Sequence, residues 1–378
     1  MTIETNITKM FGIKHPIFSA AMGPFYTTDL CVAVSEAGGL GVLSHTSIAR
    51  GANIGTETTT QSVRSTADLN AQSARLGADT VKAMKENMEF VVEHTDKPFG
   101  FNIRTSRNEI QAPKMCSEIP KFIMENPKIR DQCIYALTSA GSSKILPQSK
   151  SFQELKKQSG IKHFHVAPAL WLADKCVASG VDGMVVTGGE GGGHQSYEKV
   201  ATLVLLQQVN EKYPDFPIIA CGGFATGSGL AAALSMGAGG IAMGSRFIAS
   251  KDSEFHDNYK NVVPPSKAQD TILVTGALGP IRLWKNEYSL HHGLVADKEE
   301  KIAEEQARAA LSREDMIKEY IESANAYLAA YRGDVKSGAV LLGQSIGIIN
   351  SIESVSDIIN NIVSKAEKLI KNVAANIK

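Results

Sequence analysis

The strongest constraint in this chain is a recurrence. Short, unbroken apolar runs each end in glycine or a small polar residue, and each is followed by a helix-like stretch. The runs cover residues 16–20, 40–44, 98–103, 133–138, 163–167, 183–187, 217–220 and 240–243. A strand buried on both faces reads as a continuous apolar run, whereas a half-exposed strand alternates. Strands that take turns with helices are βα units. Eight such units before residue 250 predict an α/β fold, a closed (β/α)8 or TIM barrel; the run at 133–138 is the weakest of them. Five or six would instead point to an open, doubly wound sheet. The glycine clusters argue against that sheet, because they fall late in the chain and not after the first strand.

Helical patterns follow at 28–37, about 67–93 and about 298–332. The stretches 50–95, 104–130 and 139–158 exceed a minimal barrel, and the last two are expected to lengthen the loops after the third and fourth strands. Beyond residue 250 the chain becomes more charged and passes through Pro264-Pro265. The expected division is a barrel core over 1–250, a small cap or substrate domain over 251–342, and a C-terminal segment, 343–378, packing back on the barrel. The tail from Ile352 onward has Val355, Ile358, Ile359, Ile362 and Val363 on one helical face, a surface for the barrel wall. An interfacial membrane helix is the alternative for such a face.

Composition narrows the partners. With 378 residues, 43% of them hydrophobic, the chain can bury a large core. Lys+Arg and Asp+Glu are both 39, so no net field favours nucleic acid or an anionic membrane, and a small-molecule substrate is expected. Cys31, Cys116, Cys133, Cys176 and Cys221 are scattered, without a CxxC pair or zinc-like spacing, so no metal site is expected. The N-terminal segment has no apolar signal-peptide core, and no apolar run approaches the ~20 residues of a membrane span. These features predict a reduced, cytoplasmic protein. They leave the oligomeric state open, a homodimer included.

In a barrel, the loops after strand C-termini form the active site. Cys221-Gly222-Gly223 and Met243-Gly244-Ser245-Arg246 end the seventh and eighth strands, where barrels commonly hold a phosphate; paired glycines let backbone N–H groups approach an anion. After the sixth strand comes Thr187-Gly188-Gly189-Glu190-Gly191-Gly192-Gly193-His194. So many glycines imply close approach of backbone to a flat or charged ligand, and a histidine held there can titrate near neutral pH. Ala20-Ala21-Met22-Gly23 follows the first strand and Asn102 lies in the third; a methionine offers a soft apolar contact and an asparagine offers a donor and an acceptor together. His45, His165 and Cys221 are taken as core residues, and His291-His292 are given no role.

These segments, with Pro16 to Gly23, Ala33 to Gly41, Pro98 to Ile103, Gly191 to His194, Pro217 to Gly223, Gly237 to Phe247 and Gly343 to Gly347, resemble in order the nitronate monooxygenase family. That family includes flavin-dependent enoyl-ACP reductases and NADH:quinone reductases. The resemblance implies a barrel binding FMN, its phosphate on Gly222, Gly223, Gly244 and Ser245. Met22 and Asn102 would lie along the isoalloxazine, with Gly192 and Gly193 beside it; Ala21, Gly23, Thr187 and Met243 complete the cofactor set. His194 is the implied catalytic residue. The leading expectation is oxidation of alkyl nitronates with O2. The alternative is an NAD(P)H-dependent reductase acting on an enoyl thioester or a quinone, and a non-catalytic barrel binding a phosphate ligand is a third. Some members carry an acidic residue where Thr187 stands and a lysine where Val166 stands; Val166-Ala167-Pro168 is closer to the reductase-like branch.

Overall fold

The computed structural model describes residues 3–46, 66–106, 109, 111–276, 279–293, 299, 302–303, 306–307 and 310–377. The apolar runs become β1 (Ile17–Ser19), β2 (Gly41–Leu43), β3 (Phe99–Arg104), β4 (Cys133–Ser139), β5 (Lys162–Ala167) and β6 (Gly183–Thr187). After a short strand, β7 (Gly193–His194), come β8 (Ile218–Cys221) and β9 (Gly240–Met243). All but β7 form one parallel sheet in the order β1-β9-β8-β6-β5-β4-β3-β2. The remaining seam, between β1 and β2, is joined by a parallel bridge between Phe18 and Leu40, where Ser19 N–H donates to Leu40 O at 3.2 Å and Leu40 N–H to Ile17 O at 2.9 Å. The eight strands therefore close into the expected barrel. The run at residue 133, the least distinct in sequence, forms a seven-residue strand.

Inside the barrel, Phe18, Val42, Tyr135, Leu137, Phe164, Val185, Ile219 and Ala242 pack with Ile7, Phe11 and Ile13 of the N-terminal segment. The helix Asn6–Phe11 plugs the strands' N-terminal end: Thr5 Oγ1 donates to Gly239 O just ahead of β9. Its Phe11 ring lies 5.3 Å from Tyr135, 5.6 Å from Phe164 and 5.8 Å from Phe18. Such aromatic pairs add about 0.5–1.5 kcal/mol each beyond the area they bury. Gly183 keeps this filling possible, since a Cβ there would stand 2.2 Å from the Phe164 ring.

The stretches 104–130 and 139–158, expected to lengthen loops, instead contain the helices Ala112–Glu125, Pro127–Gln132, Ile145–Gln148 and Lys150–Gln158. Met115, Cys116, Ile119 and Ile123 form a buried stripe, but Pro113, Pro120 and Pro127 and the many polar residues obscure its period in the sequence. Together with the helix Thr66–His94 they cover the outward residues Phe99, Phe101 and Ile103 of β3. The part of the 50–95 stretch before residue 66 lies outside the described residues.

The C-terminal helix, Val355–Ala375, buries Val355, Ile358, Ile359, Ile362, Val363 and Ala366. It meets the helix Gly227–Ser235 so closely that a Cβ at Gly227 would lie 2.6 Å from Ile362 O. After β9, β10 (Thr271–Gly276) and β11 (Gly279–Trp284) form an antiparallel pair, and β7 joins β11 antiparallel with Ile281 opposite His194 and Arg282 opposite Gly193. The expected helix near 298–332 is described as Arg313–Tyr331, with most of 294–309 outside the described residues. Among the described residues no helix is long and apolar enough to cross a membrane.

Candidate active site

β6 ends at Thr187, and the glycine loop that follows is fixed at several points. Gly188 N–H donates to Thr202 Oγ1 (3.1 Å), while Glu190 Oε2 accepts from Thr202 N–H and Oγ1, both at 2.8 Å. Arg282 Nε donates to Gly189 O (2.7 Å), Gln344 N–H to Glu190 O (2.8 Å) and Gln195 N–H to Pro280 O (2.8 Å). Gly193 has φ +77°, a conformation glycine adopts without strain, and it delivers His194 onto the ladder with Ile281.

His194 keeps part of its surface open at the mouth, yet protein surrounds it on most sides. Burial, followed by the charge of Arg104, lowers its pKa to about 3. The expectation of titration near neutral pH is therefore corrected: desolvation and a neighbouring cation both disfavour the imidazolium, so the ring is neutral.

Arg104 is the last residue of β3, buried and facing inward in phase with Asn102 and Gly100. Its Nη2 lies 3.3 Å from Glu109 Oε2, and its N–H donates to His45 Nδ1 at 3.3 Å. That bond assigns the His45 proton to Nε2, which lies 3.6 Å from the same Glu109 oxygen. Burial first, then Arg104, lowers the His45 pKa to about 3. Burial raises the Glu109 carboxyl while Arg104 opposes that shift. His45, taken as a core histidine, is buried but belongs to this charged group beside the mouth.

Asn102 is buried with its carboxamide directed to β4: Nδ2 donates to Leu137 O (3.2 Å) and Ser139 Oγ (3.1 Å), and Oδ1 accepts from Ser139 Oγ (3.4 Å). Met22 N–H donates to Ser44 Oγ at 2.8 Å, so this group is not free. Ala21 is half-buried next to the barrel filling. Gly23 answers to packing, since a Cβ there would stand 2.5 Å from His45 O. Thr187 lies at the inner end of β6 and hydrogen-bonds the thiol of Cys221, which is not a fully buried core residue but a partly exposed one whose pKa burial nonetheless raises.

On the opposite wall, Gly222 and Gly223 are consecutive left-handed residues, φ +87° and +84°. A Cβ on Gly222 would lie 3.0 Å from Thr202 Oγ1 and 3.1 Å from Gly191 N, whereas one on Gly244, after Met243, would meet only Ala20 Cβ at 3.8 Å. Ser245 Oγ accepts from Gly343 N–H at 3.0 Å, and a Cβ at Gly192 would lie 2.7 Å from that same nitrogen. The segment at Gly343 thus bridges the β6 loop and the end of β9. It has Gly-x-Ser-x-Gly spacing, but it is a 3-10 turn, Gln344–Ile348, and not the strand-to-helix elbow of a nucleophilic serine. Arg246 turns away to Ala249 O (3.1 Å) and Ser351 O (2.9 Å).

The structure thus brings Thr187, the Gly191–His194 loop, Gly222, Gly244 and Ser245 to one end of the barrel. His165 is apart: its Nδ1 and His163 Nε2 share Thr138 Oγ1, each at 2.7 Å, in the core. His291 and His292 bond carbonyls of their own helix, Glu287 O and Tyr288 O. Sequence reasoning missed Arg104, Glu109, Ser139 and Gln195. The signal for Arg104 was available, since it shares the inward phase of Asn102.

Fold and mouth together define a class. FabK from Thermotoga maritima matches with a TM-score of 0.72, 27% identity and coverage of 100% of both chains. The chain belongs to the nitronate monooxygenase family, an oxidoreductase family whose profile matches residues 4–365. It is 29% identical, over 99% of both chains, to the (3aS,4S,5R,7aS)-5-hydroxy-7a-methyl-1-oxo-octahydro-1H-indene-4-carboxyl-CoA dehydrogenase of Rhodococcus jostii (strain RHA1). A probable nitronate monooxygenase of Staphylococcus saprophyticus is 23% identical, over 76% of this chain and 80% of its own.

Proposed function

We propose that this chain is an FMN-dependent oxidoreductase acting on an acyl thioester, with His194 handling the substrate's α-proton. The observation that carries this reading is the placement of His194, which the β7–β11 ladder ties to the same mouth as the glycine cradle of β8 and β9. The cradle fits a flavin phosphate: the Gly222-Gly223 turn has no side chains, and a Cβ on Gly244, beside the Ser245 hydroxyl, would touch only Ala20 Cβ at 3.8 Å. Ala21, Met22, Gly23, Asn102, Thr187, Gly192, Gly193 and Met243 would line the rest of the cofactor. Bound FMN would supply the two-electron exchange that no side chain provides.

The protein's own part is positioning and proton handling. An unprotonated imidazole offers the free nitrogen a proton acceptor needs, but burial and Arg104 make His194 a weak base in the ligand-free protein, so the α-proton has to be acidified by the thioester carbonyl beside it. Arg104 supplies positive charge where the carbonyl oxygen gains negative charge. The segment 251–342 acts as a cap over this chemistry, β11 forming its contact with His194.

The thioester class rests on likeness to a CoA-thioester dehydrogenase along the whole chain and on Val166-Ala167-Pro168 at the end of β5. Oxidation of nitronates with O2 is the second reading, favoured by the family match. Anaerobic mixing of the FMN-loaded protein with NADH, NADPH, saturated and unsaturated acyl-CoA, and ethyl nitronate separates the two. Flavin bleaching by a nicotinamide or a saturated acyl-CoA, with colour restored by unsaturated acyl-CoA, is expected. A response to nitronate alone decides for the second reading, and a protein that binds no FMN sinks both.

A further inference from the structure

We infer that the carboxamide of Gln195 is a further flavin-binding group, engaged when the glycine loop closes on the ligand. Gln195 is 8% exposed, and both of its side-chain polar atoms, Oε1 and Nε2, are buried without a hydrogen-bond partner. An amide in this state is unfavourable, and native proteins keep such groups only where something else meets them. Its surroundings point to the cradle: a Cβ on Gly191 would stand 2.6 Å from Gln195 Nε2 and 2.9 Å from Thr187 Cγ2, and one on Gly222 would lie 3.1 Å from Gly191 N.

The neighbouring protein groups are already used. Gly191 N–H donates to Gly188 O (3.0 Å), Gly188 N–H to Thr202 Oγ1 (3.1 Å), and Thr187 bonds the Cys221 thiol. Below them the barrel is filled by Val185 and Ile219. With each of these groups already holding one partner, the ligand side of the loop is where a group complementary to both amide atoms is available. A flavin nucleotide offers a complement to a donor–acceptor amide twice, at the imide edge of its ring and along its ribityl hydroxyls. Because both amide atoms are closed to solvent, the Gly191-Gly192-Gly193 turn has to shift for the contact to form, and flavin binding has to supply the free energy for that shift against the bonds that hold Gly189 and Glu190.

This inference rests on the FMN reading, and the experiment separates the two. The full-length protein, stripped of flavin, is titrated with FMN by fluorescence quenching, alongside Gln195→Leu and Gln195→Met, and the melting temperature of each flavin-free protein is recorded. The wild type is measured first: if it fails to bind FMN, the FMN reading falls, and this inference with it. With the wild type binding, both variants are expected to raise the FMN Kd about tenfold or more, equivalent to about 1.4 kcal/mol. Their flavin-free melting temperatures should be unchanged or higher, because an apolar side chain removes an unpaired buried amide. An unchanged Kd overturns the role of Gln195 alone. So does a weaker Kd accompanied by a lower flavin-free melting temperature, which marks Gln195 as a structural residue.

Discussion

His194 stands directly opposite Ile281 across an antiparallel ladder, although they are 87 positions apart in the chain. The ring that points to proton chemistry is thus held by a hairpin lying outside the eight-stranded barrel, and the loop before it is held by Arg282 through Gly189.

Replacing His194 by Asn keeps the ring's approximate shape and hydrogen-bonding capacity but removes its basicity. FMN binding should persist while turnover falls about 100-fold or more. Steady-state rates on holoprotein with normal flavin content test this, and unchanged turnover removes His194 from the chemistry.

Arg282→Met deletes the donors to Gly189 O and, at 3.0 Å, to Thr271 Oγ1 while preserving much of the side-chain bulk. Leaving partly buried acceptors unpaired should cost about 1–3 kcal/mol in urea unfolding. Turnover should fall with it because the β7 loop loosens. A variant as stable and as active as wild type would show that the ladder alone fixes His194.

The charge of Arg104 disfavours protonated His194, so Arg104→Gln should raise the His194 pKa. Burial is the larger cause of the depression, and the raised value should therefore stay below 6.5. In the pH dependence of kcat/KM the acid limb moves to higher pH in the variant. A limb that stays put, or moves to lower pH, contradicts this electrostatic link.

His45 and His165 are buried with pKa values near 3 and 4, and burial lowers His163 as well. Below the ordinary pKa of 6.5 the unfolded chain takes up protons that the folded one refuses. Stability from these groups is thus fully present above pH 6.5 and is lost as pH falls towards their folded values. Each contributes up to about 1.4 kcal/mol per pH unit within that window. Urea unfolding at pH 7.5, 6 and 5 should show a steepening loss, and a flat profile would falsify it.

Gly222→Ala places a Cβ 3.0 Å from Thr202 Oγ1 on a backbone at φ +87°. Strain of this kind costs about 1–3 kcal/mol. Reduced stability and weaker FMN retention are both expected, by melting and by fluorescence titration; an unaffected variant argues against a tight turn at this point.

Much of the fold was legible because a parallel barrel writes its strands as unbroken apolar runs, and even the faint one at Cys133 obeys the rule. The outer helices around Met115 and Phe152 were harder, since prolines and lysines interrupt the 3.6-residue period that packing restores. Within the site, glycine pairs and Asn102 announce themselves by type and position. Arg104 could have been read from the inward phase it shares with Asn102, whereas Glu109 and Gln195 could not, because a single polar residue in a loop gains meaning only when the neighbouring elements fix which way it faces. The acid–base state of His194 was misjudged for a related reason, as its environment comes from β3 and from the distant hairpin.

The seat of Gly343 against Gly192 and Ser245 also bears on how the protein is made. All eight barrel strands emerge from the ribosome before residue 250, but the segment bridging the β6 loop to the end of β9 is translated almost a hundred residues later. A chain made only that far can hold a closed barrel whose mouth still lacks one wall, and that wall is completed only when Gly343 seats against Gly192 and Ser245.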